Sequence, residues 1–302
     1  MLYANEPSAL VTSLAGGEIH YRTYGPADSE APPVVFVHGF LVDGTLWTDV
    51  AVELARRGVR SIVPTWPLGS HRTPMRPDAD LSPRGVARIV IDFLAALDLD
   101  GVTLVGNDTG GAICQLVLDT DASRVGRVVL TNCDAFEAFP PKAFSGLFSA
   151  GRHPALVAAI AQPMRLRWLR HSPLSYGMLL RRPRDAARTK GWVEPIVSDP
   201  AIRADVARFC RGMVPGELVE VGGRLNRFDG PTTVLWGRRD RFFTPQLGHR
   251  LADAFAAATF VEADTSTFVA VDAPDAVADA IEAIAERPTR TGAVSASAAP
   301  PT

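Results

Sequence analysis

The segment Leu104–Gly111, LVGNDTGG, sets an aspartate between glycines where an apolar run gives way to a helical pattern. A strand that turns sharply into a helix crowds neighbouring Cβ positions, and glycine relieves that crowding. Such a corner pushes its central side chain, here Asp108, out above the sheet. It also aims the Thr109 N–H and the helix N-terminus at whatever negative charge develops there. A serine in that place would suit acyl transfer. An aspartate suits displacement at carbon, with an alkyl ester on the carboxylate as intermediate. The plainer alternative is a helix N-cap that satisfies free N–H groups and does nothing more.

A second stretch fits the same chemistry. Val37–His38–Gly39–Phe40 closes an apolar strand, and the Phe40 N–H after the glycine supplies the other half of an oxyanion hole. His38 is expected to hold that loop in shape rather than to move protons.

These residues need a scaffold, and the chain supplies one by alternating β-rich runs with amphipathic helical ones. That alternation predicts an α/β fold with a mostly parallel sheet and helices on both faces. Ser8–Leu14 and Ile19–Tyr24 read as an opening antiparallel pair. Val34–Val37, Ser61–Val63, Val102–Val105, Val128–Thr131, Thr232–Trp236 and Thr259–Val261 read as the remaining strands. A helix is expected over Leu46–Arg57, stopped by Gly58. Another starts at Ser82, which caps it, with Pro83 in the first helical position, where a missing N–H costs nothing. Its Val86, Ile89, Val90, Phe93, Leu94 and Leu97 form one apolar stripe. Gly110–Leu118 is the helix behind Asp108, and Asp272 is expected to cap a closing helix.

Between Phe136 and Asp229 the alternation stops. Helical pieces are expected at Pro154–Gln162, Met164–Arg170, Ile202–Met213 and Glu217–Leu225. The division is therefore a first core part over 1–135, a helical lid over 136–229, a second core part over 230–286, and a disordered tail from 287 to 302. A satellite of helices with no catalytic contact is the alternative to a lid.

Composition narrows the partners. With 302 residues and a net charge of −2, the chain has no electrostatic pull toward nucleic acid or anionic lipid. The arginine-rich stretch from Arg165 to Arg188 is expected to be a solvated helix face. No run approaches the roughly 20 apolar residues of a membrane span, and MLYANEPSAL lacks the build of a signal peptide. A cytoplasmic protein is expected. Three widely spaced cysteines and six scattered histidines suggest neither disulfides nor a metal, and no cofactor is expected.

Together, VVFVHGF at Val34–Phe40, LVGNDTGG and PTTVLWGRRDRFFTP at Pro231–Pro245 resemble the α/β-hydrolase fold, in the branch of haloalkane dehalogenases and epoxide hydrolases. The resemblance runs over about residues 8 to 286. It implies that Asp108 attacks the substrate carbon and that an acid orients a histidine base. Asp240, after the Thr232–Trp236 strand, matches one family position for that acid and is preferred. Asp134, in TNCDAF after the preceding core strand, matches the other.

The histidine itself is missing. The family has a glycine–histidine–aromatic step after the last strand. Here, aligned on Phe268 and Asp272–Ala273–Pro274, its position holds Thr267, and no histidine follows His249. A hydroxyl is far too weak a base near neutral pH, and a positioned base is worth about 10² to 10⁴ in rate. His71, in PLGSHRTPM, is the candidate replacement, to activate water, or else Arg72 beside it holds an anionic substrate; the alternative is a merely exposed loop histidine. The halide-binding features also depart from the family, with Thr109 where a tryptophan is implied and Phe40–Leu41 where many members carry asparagine. Tyr176 is the one tyrosine in the lid, where epoxide hydrolases use a pair.

Three functions stay open on these residues. One is hydrolysis through Asp108 of a small, partly apolar epoxide, alkyl halide or ester under the lid. Another is a lyase, isomerase or cyclase with Asp108 as general base. The third is a ligand-binding protein without turnover. Oligomeric state is not indicated.

Overall fold

Short runs of valine, isoleucine and leucine with no polar interruption can only be satisfied inside a sheet covered on both faces, and that is where they lie. In the computed structural model, which describes residues 9–173, 175–181 and 185–287, the strands are β1 (Ala9–Leu14), β2 (Gly17–Tyr24), β3 (Val34–Val37), β4 (Ser61–Thr65), β5 (Val102–Asp108), β6 (Val125–Cys133), β7 (Thr232–Gly237) and β8 (Ala258–Ala263). They form an eight-stranded sheet of order β1-β2-β4-β3-β5-β6-β7-β8. The β1–β2 and β2–β4 pairings are antiparallel and the other five parallel. Val34, Val35, Phe36 and Val37 are fully buried, as the unbroken run requires. The expected tail from 288 onward lies outside the described residues.

The sheet order places the site. From β3 the chain moves one way to β4 and then returns to the other side at β5. The crevice outside the carboxyl ends of β3 and β5 is therefore a topological switch point, where open α/β sheets hold ligands. The Phe40 and Asp108 corners both open there.

Helices cover the two faces. A short 3₁₀ turn at Gly44–Trp47 leads into α1 (Thr48–Arg56), and Gly58 follows with a positive φ of 77°. In α2 (Pro83–Ala96), Ser82 Oγ accepts the Gly85 N–H at 3.0 Å, and the stripe from Val86 to Leu94 is buried. Behind the elbow runs α3 (Thr109–Thr120). Gly110, in its first turn, leaves no space for a side chain: a Cβ there would stand 2.2 Å from the Val37 carbonyl oxygen. Gly110→Ala should therefore push β3 and α3 apart and destabilise the fold by about 3 kcal/mol, measurable by denaturant unfolding.

Between β6 and β7 lies a set of helices, α4 (Ser145–Gly151), α5 (Pro154–Ala161), α6 (Arg167–Arg170), α7 (Ala186–Ser198), α8 (Pro200–Arg211) and α9 (Glu217–Gly222). They make the inserted lid. The arginine-rich stretch is only partly a solvated face. Arg170 is buried and donates to Thr189 Oγ1 and to the carbonyls of Met164, Arg165 and Ala186, while Arg188 chelates Asp49. Two of the expected surface cations thus hold the lid together and pin it to α1.

The core closes with α10 (Pro245–Asp253), α11 (Val269–Asp272) and α12 (Pro274–Ala285). Asp272 does not cap α12, whose N-cap position falls on Ala273 without a side-chain bond. Its carboxylate accepts instead the N–H of Arg181 at 2.9 Å and of Ser266 at 3.2 Å. Among the described residues no helix is long and apolar enough to cross a membrane.

Candidate active site

Asp108 sits at φ 55° and ψ −134°, a conformation that a residue with a side chain adopts only under strain. Strain of this kind is worth about 1–3 kcal/mol and persists where the surrounding packing fixes it. Here β5 is held in register by β3 and β6, and Gly110 and Gly111 allow α3 to start hard against them. The side chain makes no capping bond to its helix, so the N-cap alternative does not describe it. The carboxylate lies on the bare face of Gly39, where a Cβ would come within 2.2 Å of Oδ2.

The charge balance at Asp108 is set by three neighbours and by burial. Burial raises its pKa most, and the charge of Asp240 adds to the rise, while the nearby backbone N–H groups of Phe40 and Thr109 favour the ionised form and oppose it. The net result is a carboxyl pushed up to about 7. Phe40 and Thr109 thus act on this carboxylate through their backbone N–H groups.

Both candidate acids are in this cluster, in different situations. Asp134 follows β6, is buried and lines the cavity. Thr109 Oγ1 donates to its Oδ2 at 3.0 Å, whereas its Oδ1 has no hydrogen-bond partner. Burial first, and the charge of Asp108 second, hold Asp134 well above the usual carboxylate range. Asp240 follows β7 and sits behind the cavity wall. Its Oδ1 accepts the N–H groups of Phe242 (2.8 Å) and Phe243 (3.1 Å), and its Oδ2 accepts Asn132 Nδ2 (3.0 Å). Burial raises it and these donors pull it back.

Thr267 is on the cavity wall and buried, and its hydroxyl closes no ordinary hydrogen bond, although it faces Asp240 closely enough to favour that residue's ionised form. Two asparagines, which the sequence reading passed over, fix this corner. Asn107 Nδ2 donates to the Thr267 carbonyl at 2.8 Å, and Asn132 ties Asp240 to the Gly237 turn. The available signal was position: amides at the carboxyl ends of otherwise apolar strands.

The histidines lie elsewhere. His38 Nε2 accepts the Trp66 N–H at 2.8 Å, so Nδ1 carries the proton and donates to the Gly39 carbonyl at 2.9 Å. Burial lowers its pKa to about 4, and the neutral ring holds the loop. His71 is not brought to the cavity wall. Its Nε2 lies 3.0 Å from Asp205 Oδ2 in α8, a carboxylate that also takes the Met75 N–H and Arg208. A partner on the lid therefore turns this ring into the lid–core seam. Arg72 reaches toward Asp43 at 3.5 Å.

Under the lid is a cavity of about 200 Å³. Phe40, Phe243 and Thr267 from the core face Phe148, Val157 and Ile196 from the lid, with Asp108 and Asp134 in the same wall. Lid side chains thus share one enclosure with the carboxylate, which removes the alternative of a detached satellite. Tyr176 also lines it, but its hydroxyl donates to the Leu41 carbonyl. The lid is stitched to the Thr267 loop by the Asp272 bonds and by the Phe268 N–H, which donates to the Leu179 carbonyl at 3.1 Å.

Known proteins bear on this arrangement. The sequence model of the alpha/beta hydrolase fold family matches residues 32–274. Haloalkane dehalogenase 2 of Mycobacterium tuberculosis is 31% identical over 277 residues, covering 88% of this chain and 90% of its own. The structure of haloalkane dehalogenase DatA from Agrobacterium tumefaciens matches with a TM-score of 0.73 and 21% identity, over 92% of this chain and 96% of its own. An enol-lactonase from Burkholderia xenovorans matches with a TM-score of 0.71 and 18% identity, over 92% and 100%. The chain belongs to the α/β-hydrolase fold family and, within it, stands close to the haloalkane dehalogenases.

Proposed function

We propose that this chain is a hydrolytic enzyme in which Asp108 attacks an electrophilic carbon of a small, largely apolar substrate and carries it as an ester. What supports this most is that Asp108 lines the cavity together with Phe40 and Thr109, whose backbone N–H groups favour its ionised form. An oxygen held there becomes the carbonyl oxygen of the ester, and the same donors stabilise the oxyanion when water attacks Cγ. A carboxylate that only moved protons would gain nothing from such a hole. Among the described residues the cavity wall carries no lysine or arginine, so the substrate is uncharged and mostly hydrocarbon.

A second function has its own observation. A carboxyl pushed up to about 7 is half-ionised at neutral pH, which suits a general base for elimination, isomerisation or ring closure.

Peptide mass mapping after incubation with epoxides, alkyl halides and esters separates the two. The expected result is an adduct on the Asp108 peptide of the wild type and none in Asp108→Asn. Turnover without any adduct would replace the nucleophile by the base. Tight binding of an apolar ligand with neither adduct nor turnover would make the chain a binding protein.

A further inference from the structure

Attack by Asp108 leaves two proton problems, and the structure supplies one group for both. A departing oxygen needs a proton, and the water that later cleaves the ester must lose one. Tyr176 has its hydroxyl on the Leu41 carbonyl, His71 is bound to Asp205, and Thr267 is too weak a base.

Asp134 is placed differently from all of these. Its Oδ1 is buried without a partner, and the residue lines the same cavity as Asp108. Its position is fixed from three sides. Thr109, the residue after the nucleophile, donates from Oγ1 to Oδ2, Gln115 Nε2 donates to the Asp134 carbonyl at 2.8 Å, and the Asp134 N–H points at the Asp108 carbonyl at 3.4 Å. A buried, unpartnered carboxyl oxygen in a residue on an apolar cavity wall is tolerable when it is an O–H that can be given to a ligand.

Resting on Asp108 as nucleophile, we propose that Asp134 is the acid that protonates the leaving oxygen and then the base that activates water. Two carboxyls in one buried site cannot both ionise, so the negative charge on Asp108 keeps the proton on Asp134. The upward push on Asp134 from burial and from Asp108 agrees with this order.

With an epoxide the bookkeeping closes. Asp108 forms a bond to a ring carbon, the carbon–oxygen bond breaks toward oxygen, and that oxygen takes the Asp134 proton. A hydroxyalkyl ester and an Asp134 carboxylate result. Asp134 then removes a proton from water as its oxygen bonds to Cγ, with the oxyanion held by Phe40 and Thr109. Collapse hands that proton to the departing alkoxide, and the acid proton left on Asp108 returns to Asp134. The diol leaves and both carboxyls are as they began.

An alkyl halide breaks the cycle, because halide departs without a proton. Asp134 then stays protonated, because burial alone disfavours its ionised form once the Asp108 charge is gone; no base is generated, and the ester persists. The geometry therefore selects substrates whose leaving atom is oxygen.

The matched pair 1,2-epoxyhexane and 1-bromohexane tests this with wild type and Asp134→Asn at about pH 8, where Asp108 is ionised. Wild type should turn over the epoxide, and the variant should lose about 10²-fold or more in turnover while the hydroxyhexyl ester accumulates. Bromohexane should label Asp108 in both proteins and stay attached, which also shows that the variant is folded with its nucleophile in place. Undiminished epoxide turnover by Asp134→Asn, or repeated turnover of bromohexane by wild type, overturns the role of Asp134. No label on Asp108 from either probe in wild type overturns the nucleophile, and this proposal with it.

Discussion

Thr267→His should turn a stalled enzyme into a cycling one on alkyl halides, raising steady-state turnover by about 10² to 10⁴ over wild type. Thr267 stands on the cavity wall with the Asp240 carboxylate behind it and Asp108 before it. An imidazole there has open cavity to extend into, an acceptor for one ring N–H and a water to activate with the other nitrogen. Its backbone is fixed by the Asn107 bond to the residue 267 carbonyl, which the substitution does not touch. Burst kinetics with an alkyl bromide read the outcome directly: wild type releases one equivalent of bromide, and the variant continues. Thr267→Ala should remain stalled. A histidine variant that is labelled on Asp108 yet never passes one equivalent would show that Asp240 and Asp108 are not aligned for an imidazole between them.

The second large effect concerns stability against activity at one residue. Asp108→Asn should abolish ester formation and, above about pH 7, make the protein more stable than wild type. The Asp108 carboxyl is pushed from its ordinary 3.8 up to about 7 in the fold. Across that interval the folded chain holds a proton that the unfolded chain has already released. Stability therefore falls as pH rises from about 4 to about 7 and stays low beyond. Asp134 and Asp240, both raised by burial, act in the same direction. An asparagine removes the contribution of Asp108, at most about 4 kcal/mol above the window, and nothing below it. Thermal unfolding of both proteins at about pH 4 and about pH 8 should show matching midpoints at the lower pH and a higher midpoint for the variant at the upper one. Equal midpoints at both would mean that the carboxylate is not held at a cost.

The elements that local chemistry specifies were legible in the chain. The β-branched runs of β3 and β5, the Ser82–Pro83 start of α2 and the glycines around Asp108 each act through neighbours a few residues away. Features set by distant partners were not. The helix α7 carries Gly191 and Pro195 in its interior, which weaken any local helical signal; it is held by Trp192, Val193 and Ile196 packing into the core. Similarly, α4 is a small-residue segment, SAG at its end, stabilised through Phe148. His71 has a plausible address at a strand's carboxyl end, yet Asp205, 134 residues later, decides where its ring points. Asp272 has the look of a cap, and the N–H groups of Arg181 and Ser266 claim it instead. The expectation that Thr267 stands where the family has a histidine came from sequence, because it rests on residue type alone. The unpartnered oxygen of Asp134 was not visible there, because an unmade bond has no sequence signature.

The fastening of Asp272 and Phe268 to the backbone at Arg181 and Leu179 makes roof and closing loop one hereditary block. A chimaera that imports a foreign roof alone confronts that border with N–H and C=O groups out of step, one residue from the spot where a proton acceptor is wanted. Importing both halves together keeps the border matched, so substrate range and the chemistry at residue 267 are exchanged as a unit.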